Sequence, residues 1–480
     1  MNNHTLSPAI TPGHMRLAML TSALAVFMAN LDISIVNIAL PTLSAYYQAN
    51  AAEVAVIILS YMLAITSLLL VAGKLSDLYS AERVLVWGYW VFIIGSALCG
   101  LAPSLDWLTA FRFLQGIGGA LLFATSAVII VHYVPAERRG RAYALNGLLA
   151  VTALAFGAPI GGFLVEYVGW RWIFLINVPV GLAALALAHF AFVRQAPTAA
   201  KISFDLPGAA YSFLCLLGFI YGMHTGQDQG WSQPVTLLSL AMCLGFLILF
   251  LHRESRCPEP LLALSLFGQR PLSAAILGNS LFLALSGGLN FILPFYLQWI
   301  KQLTPNQVGL ILMISPALSM LLTTLSGYLS DRIGPRVVCI AAMIGLLATA
   351  VSFATLGADS SFTWIIACQA LYGVSRAFYI TAALTMIMCY AQAGLAGMLS
   401  GAKALVLNLG LLIGVSLFAL LYNLPLNDLP TPTAWPLPLV VQGFHYATGL
   451  GVVIAALGLI VTIISRPFAP PLASPAKSNV

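Results

Sequence analysis

The chain has 480 residues, of which 60% are hydrophobic and only 7% charged, with a formal net charge of +6 and a mean hydropathy of +0.97. A soluble domain carries about 25% charged residues, so a soluble enzyme, a secreted disulfide scaffold and a disordered chain are all excluded, and a polytopic membrane protein remains. The positive balance then reads as basic loops beside a bilayer and not as a surface for nucleic acid.

The first fifteen residues are polar and lack the basic, apolar and small-residue order of a cleaved signal, so the first apolar run is expected to stay in the membrane. Fourteen apolar runs follow in chain order, at 17–42, 54–73, 84–102, 107–131, 141–165, 172–193, 206–224, 234–252, 271–297, 307–328, 337–357, 362–390, 398–421 and 442–465. Each is about 20 residues or longer, enough to span a bilayer as a helix, and none alternates as a barrel strand would. An even number of spans puts both termini on one side. With that side cytoplasmic, the inner segments hold sixteen Lys and Arg and the outer ones only Arg171 and Lys301, while Arg112 and Arg376 fall within helices. Such asymmetry is what topology selection produces. The longest outer loop, from Tyr422 to Val441, is Pro-rich and reads as an extended cover.

The seven cysteines are scattered without a CxxC pair, and the histidines form no cluster, so no metal site or disulfide framework is expected. The segment from Gly397 to Lys403 lacks the spacing of a phosphate-binding loop, and no cofactor is implied.

The chain repeats itself. Gly73-Lys-Leu-Ser-Asp77 closes the second run and Gly327-Tyr-Leu-Ser-Asp331 the tenth, roughly 255 residues apart. Trp107, Leu114, Gly116 and Ala120 match Trp364, Leu371, Gly373 and Ala377 at nearly the same offset. Two parallel six-helix bundles, 1–200 and 266–480, are expected, with two inserted helices and a linker over 201–265. In such an architecture the substrate site lies at the midplane between the halves.

The residues that complete this picture are Leu31-Asp32-Ile-Ser-Ile-Val-Asn37-Ile-Ala-Leu-Pro41, Arg112-Phe-Leu-Gln115-Gly116, Gly157-Ala-Pro159-Ile-Gly161-Gly162, Trp170-Arg-Trp-Ile-Phe-Leu-Ile-Asn177-Val-Pro179-Val-Gly181 and Leu293-Pro-Phe-Tyr-Leu-Gln298. With these the chain resembles the major facilitator superfamily, and within it the fourteen-helix drug/proton antiporters of EmrB/QacA type. The resemblance implies an all-helical fold and proton-coupled efflux. It assigns Gly157, Pro159, Gly161 and Gly162 to an antiporter motif, and implies that spans 1, 4, 9 and 12 line the central cavity. Three departures stand out. The first loop reads Leu78-Tyr-Ser80-Ala81-Glu82-Arg83 where the family has basic residues and a glycine. The proline of the antiporter motif comes one place late. Arg376 replaces a small residue.

Asp32 is the one acid deep in an apolar run. Placing it there costs roughly 2.5–3.5 kcal/mol on insertion scales, which points to proton or substrate coupling, with a structural ion pair to Arg112 as the alternative. The two are expected on the order of 8 Å apart in depth, within reach of long side chains. Arg112 shares a helical face with Gln115, Gly119 and Ser126, and the resemblance gives it a role in proton transfer. Asn279, Ser286 and Asn290 form one polar stripe, and Gln369, Tyr372, Arg376 and Tyr379 another, expected at the cavity or in hydrogen bonds between helices. Asp77, Arg83, Asp331, Arg332 and Arg336 stand at loop edges suited to gating by salt bridges. Asp32, Arg112 and Arg376 sum to +1 with Asp32 ionised and +2 with it protonated, which favours anionic, zwitterionic or neutral amphiphilic substrates over dications.

The function expected is export of drug-like or toxic small molecules against protons, in a bacterial inner membrane with both termini cytoplasmic. Export or symport of a natural organic anion or siderophore-like metabolite is the alternative. Small molecules, protons and lipid are the partners, with a periplasmic adaptor where the host has an outer membrane. A membrane enzyme lacks the paired acids or His/Cys constellation it would need, and a sensor lacks a signalling domain.

Overall fold

A computed structural model describes residues 11–192, 205–228, 230–257, 268, 270–388, 396–426 and 435–465. Among these the chain is helical: α1 (Pro12–Tyr47), α2 (Ala51–Tyr79), α3 (Ala81–Gly100), α4 (Leu105–Tyr133), α5 (Ala136–Phe163), the short α6 (Trp172–Leu175), α7 (Asn177–Ala191), α8 (Leu206–Asp228), α9 (Pro234–Glu254), α10 (Arg270–Phe295), α11 (Pro305–Ile333), α12 (Pro335–Ala354), α13 (Phe362–Met388), α14 (Ala396–Asn423) and α15 (Leu437–Ile464). Five-residue π-helical turns extend α5 to Val168 and α10 to Ile300. Helix starts are set locally. Asn50 and Glu53 form a reciprocal capping box on α2, and Thr304 and Gln307 do so on α11, where Pro305 takes the first turn.

Thirteen helices among the described residues are long and apolar enough to cross a membrane, and the chain is a multi-pass membrane protein. The seventh expected run falls on α8, part of whose length lies outside the described side chains; α8 is not among the thirteen. The sixth expected run is observed as one span, Trp172–Ala191, in which α6 and α7 meet at Ile176 with its backbone still right-handed helical. The expected outer cover is shorter than the sequence suggests, since α15 begins at Leu437; residues 427–434 of it lie outside the described residues.

Helices α1 to α7 form one half and α10 to α15 the other. The halves meet where α5 packs on α11, α2 on α14 and α1 on α10. Helices α8 and α9 pack on each other, and α8 packs against α2 and α14. Helix α9 leaves Leu237, Leu238, Leu244 and Ile248 exposed, as a lipid-facing helix would. Asp205 and Arg253 pair at 3.0 Å where this hairpin meets the basic end of the molecule.

Hydrogen bonds that join the halves cluster at the end opposite the basic loops. Gln298 Nε2 donates to the Ile38 carbonyl at 2.9 Å, Asn423 Nδ2 to Asn50 Oδ1 at 2.9 Å, and the Asn306 N–H to Glu166 Oε2 at 3.0 Å. That end is sealed. Glycines permit the approach: a Cβ on Gly161 would meet the Ile35 carbonyl at 3.0 Å, and one on Gly157 would meet Ser34 Cβ at 2.5 Å. Small residues at such crossings let backbones pack where no hydrophobic effect drives association. Four helices carry an internal proline: Pro41 in α1, Pro159 in α5, Pro294 in α10 and Pro316 in α11.

At the basic end the two halves make the same turn with different residues. Ser80, between α2 and α3, has φ 83° and ψ 139°; Gly334, between α11 and α12, has φ 89° and ψ 140°. Side chains pay a steric penalty of about 1–3 kcal/mol in such regions, and glycine avoids it. Ser80→Gly is therefore expected to raise the stability of the solubilised protein by about 1 kcal/mol. Thermal unfolding followed by tryptophan fluorescence checks it, and an unchanged or lower midpoint would show that the turn is unstrained.

Candidate functional site

The charged centre is assembled within the first half. Asp32 and Arg112 are almost fully excluded from solvent, at 0% and 1% exposure. Arg112 Nη1 donates to Asp32 Oδ2 at 2.5 Å and to Gln115 Oε1 at 2.7 Å, and its Nε donates to the Ile57 carbonyl at 3.3 Å. Gln115 Nε2 donates to Asp32 Oδ1 at 2.8 Å and to Ser96 Oγ at 2.7 Å. Asn177 Nδ2 adds a third donor to Asp32, at 3.1 Å to Oδ1. The guanidinium carbon lies 4.2 Å from the centre of the Tyr61 ring and 5.7 Å from that of Phe174.

Charge in a low-dielectric site is tolerable only when paired and hydrogen-bonded, and here both ions are. Every donor facing Asp32 suits a carboxylate.

The ion pair considered as an alternative for Asp32 is thus direct. Long side chains close the depth gap, and Gln115 bridges the two ions. Ser96 and Asn177 complete the network. Asn177, at the start of α7, faces inward and is 1% exposed.

The centre of the molecule holds a cavity of about 80 Å³ between the halves. It is lined by Ile33, Ser34, Asn37 and Ile38 of α1, Leu154 and Ala158 of α5, Asn290 of α10, Leu312 and Pro316 of α11, and Arg376 of α13. Drug-sized pockets measure about 300–1,000 Å³, so this is a contracted site that must widen to hold such a molecule. Asp32 does not line it. Five residues separate Asp32 from Asn37, a rotation of about 140° around α1, so one helix presents the acid to one side and the amide to the other.

Of the polar stripes, Asn290 and Arg376 reach the cavity. Ser286 Oγ and Tyr372 Oη bond to each other at 2.6 Å, and Asn290 Nδ2 donates to Ser286 Oγ at 3.5 Å, so this part of the stripe ties α10 to α13. Tyr379 packs on Phe282 with ring centres 4.8 Å apart. Gln369 and Asn279 are buried. Gln115 serves the ion pair and not the cavity, Gly119 packs on Tyr61 and Ile65, and the Ser126 carbonyl accepts from Ser22 Oγ at 2.7 Å. Gly157 and Gly161 pack on α1, and Gly162 on Pro305 and Asn306, while Pro159 lies in α5 against Gly309.

Among the loop-edge residues, Arg83, Asp331 and Arg332 are exposed. Arg336 Nη2 donates to the Ile463 carbonyl at 2.6 Å and so caps α15 within its own half. The side chain of Asp77 lies outside the described residues. No group of three or more His, Cys, Asp or Glu suited to a metal ion occurs among the described residues.

The family model of the Major Facilitator Superfamily matches residues 22–415. The chain belongs to the major facilitator superfamily. It is 29% identical over 395 residues to the riboflavin transporter RibZ of Clostridioides difficile, which covers 82% of this chain and 85% of that protein. It is 31% identical over 418 residues to the tetracenomycin C resistance and export protein of Streptomyces glaucescens, covering 87% of this chain and 77% of the other. Among solved structures, a bacterial homologue of the human lysosomal transporter Spinster, in an inward-facing and unoccupied conformation, superposes with a TM-score of 0.69 at 14% identity, covering 95% of this chain and 97% of that one. Major facilitator proteins of this kind are transporters of small molecules and not enzymes, and this chain shares their fold.

Proposed function

We propose that this major facilitator protein is a proton-coupled exporter of amphiphilic small molecules, built as two six-helix bundles and an inserted helix pair with fourteen spans, of the EmrB/QacA-like branch. Asp32 exchanges the proton, Arg112 releases or recaptures it, and substrate occupies the cavity between the halves. The observation that carries this reading is the Asp32–Arg112 pair, fully buried and surrounded by donors that suit a carboxylate. A buried pair whose stability depends on one proton is a two-state element, and α1 connects it to the cavity wall. Resistance and export proteins among the relatives support outward transport of toxic compounds. The similarity to RibZ keeps transport of a natural metabolite as the second reading.

The test is transport into proteoliposomes with an imposed pH gradient and a pH-sensitive dye inside. Substrate accumulation with matched proton release is expected; accumulation indifferent to the gradient would overturn the coupling.

The basic end is proposed to face the cytoplasm of a bacterial inner membrane, with both termini there. Reporter fusions after Val480 and near Thr11 are expected to report cytoplasm, and an insertion near Thr431 the outer side. A C-terminal fusion reporting the outer side would overturn the count of fourteen spans.

A further inference from the structure

We infer that the central cavity is an anion-recognition site in which Arg376 takes the acidic group of the substrate, so that the transported class is amphiphilic organic anions and zwitterions. The inference rests on the exporter reading for its transport step, but its binding step stands alone.

Arg376 lies at the middle of α13, near the centre of the membrane. A guanidinium cannot shed its charge there, because arginine stays protonated at any accessible pH. Charged side chains at this depth pair with an opposite charge, with carbonyl groups or with water. Arg112 follows the rule, with Asp32, Gln115 and the Ile57 carbonyl around it. Arg376 does not: its buried Nε has no hydrogen-bond partner among the described residues. It lines the cavity, and no Asp or Glu lines the cavity with it.

The one acid at comparable depth cannot serve as the missing partner. Asp32 is 0% exposed, carries three donors and is neutralised by Arg112 on the far side of α1. The earlier sum of charges over the helices therefore divides in two. The Asp32–Arg112 pair is neutral and walled off, and the cavity itself holds a single positive charge whatever substrate enters. A cationic substrate would meet that charge in a desolvated space. A carboxylate would meet a planar donor fork that matches it in a bidentate bond, with the Asn37 and Asn290 amides on the opposing walls and apolar Ile33, Ile38 and Leu312 for the rest of the molecule.

The experiment measures equilibrium binding of two aromatic dyes, anionic fluorescein and cationic ethidium, to the purified full-length protein by fluorescence anisotropy. Wild type, Arg376→Gln, Arg376→Lys and Asp32→Asn are compared. Wild type is expected to bind fluorescein at least tenfold more tightly than ethidium. Arg376→Gln is expected to lose about tenfold or more of the fluorescein affinity, with Arg376→Lys intermediate. Asp32→Asn is expected to keep the dye preference, because its charge does not face the cavity. If wild type binds fluorescein no more tightly than ethidium, or Arg376→Gln and Arg376→Lys both keep the wild-type preference, Arg376 does not select the substrate. Uptake of fluorescein into proteoliposomes with and without a pH gradient separates the two readings. Preserved dye preference with gradient-independent uptake leaves the anion site standing and removes proton coupling.

Discussion

Asp32→Asn is expected to reduce substrate-driven proton movement to background while leaving dye binding intact. Asparagine resembles the protonated acid in shape but can neither take up nor release a proton. No other carboxylate lies at comparable depth to replace it: Glu166 is at the sealed end, bonded to the Asn306 N–H, and Asp205 is paired with Arg253 at the basic end. The same substitution strands Arg112. Removing one partner of a buried ion pair costs about 3–5 kcal/mol, so the variant should also unfold at lower temperature. Adding Arg112→Gln to Asp32→Asn should restore part of that stability but none of the coupling. This distinction matters, because a merely structural pair would lose stability and recover transport with it. Wild-type pumping by the Asn variant against a pH gradient would show that the acid only holds α1 to α4.

The second large effect is at the sealed end. Gly162 stands against the backbone of Pro305 and Asn306, and a Cβ there would meet Asn306 Cα at 2.9 Å and the Pro305 carbonyl closer still. Both contacts are backbone, so no side chain can rotate away. Gly162→Val is expected to keep α5 from closing on α11, to hold the two halves apart at this end, and to lower transport at least tenfold. Folding should survive, because the contact joins the halves and lies inside neither core. The checks are the transport rate and the labelling of a cysteine introduced at Asn306, which the open end would expose. Transport by Gly162→Val at the wild-type rate would mean that this contact is dispensable to the cycle.

The helical architecture was legible because a bilayer-spanning helix needs a long apolar run, and the chain has too few charges to hide one. The same scarcity made Asp32 and Arg112 legible: in a 7% charged chain, a charge inside an apolar run demands a partner. Ser96 and Asn177 were not legible. Hydroxyls and amides are common in membrane helices, and which of them joins the Asp32 network is set by how α7 packs on α1 and α3 on α4, which no residue type marks. The second half shows a different limit. Spacing placed Tyr372, Arg376 and Tyr379 on a shared stripe, yet Tyr372 bonds Ser286, Tyr379 packs on Phe282, and Arg376 reaches the cavity. Periodicity says which residues share a face; it does not say which neighbour each part of that face meets. Seryl strain at residue 80 was visible only as a departure from the repeat, and its backbone angles give that departure a physical meaning.

If the cavity serves molecules of unequal shape, the internal prolines bear on how it does so. A proline lacks the N–H that would bond to the carbonyl four residues earlier. Pro41 therefore releases the carbonyl of Asn37, Pro294 that of Asn290, and Pro316 that of Leu312, and all three are residues of the cavity wall. Pro159 interrupts α5 next to Ala158, on the same wall. Each helix is thus softest at the height where cargo sits, and firm above and below it. The walls behave as four separately jointed fingers more than as two rigid jaws, and a bulky ring system or a slender chain is met by different amounts of bending at the same four points. On the proposed reading, breadth of cargo would come from the backbone and the Arg376 guanidinium would supply the demand common to all cargo.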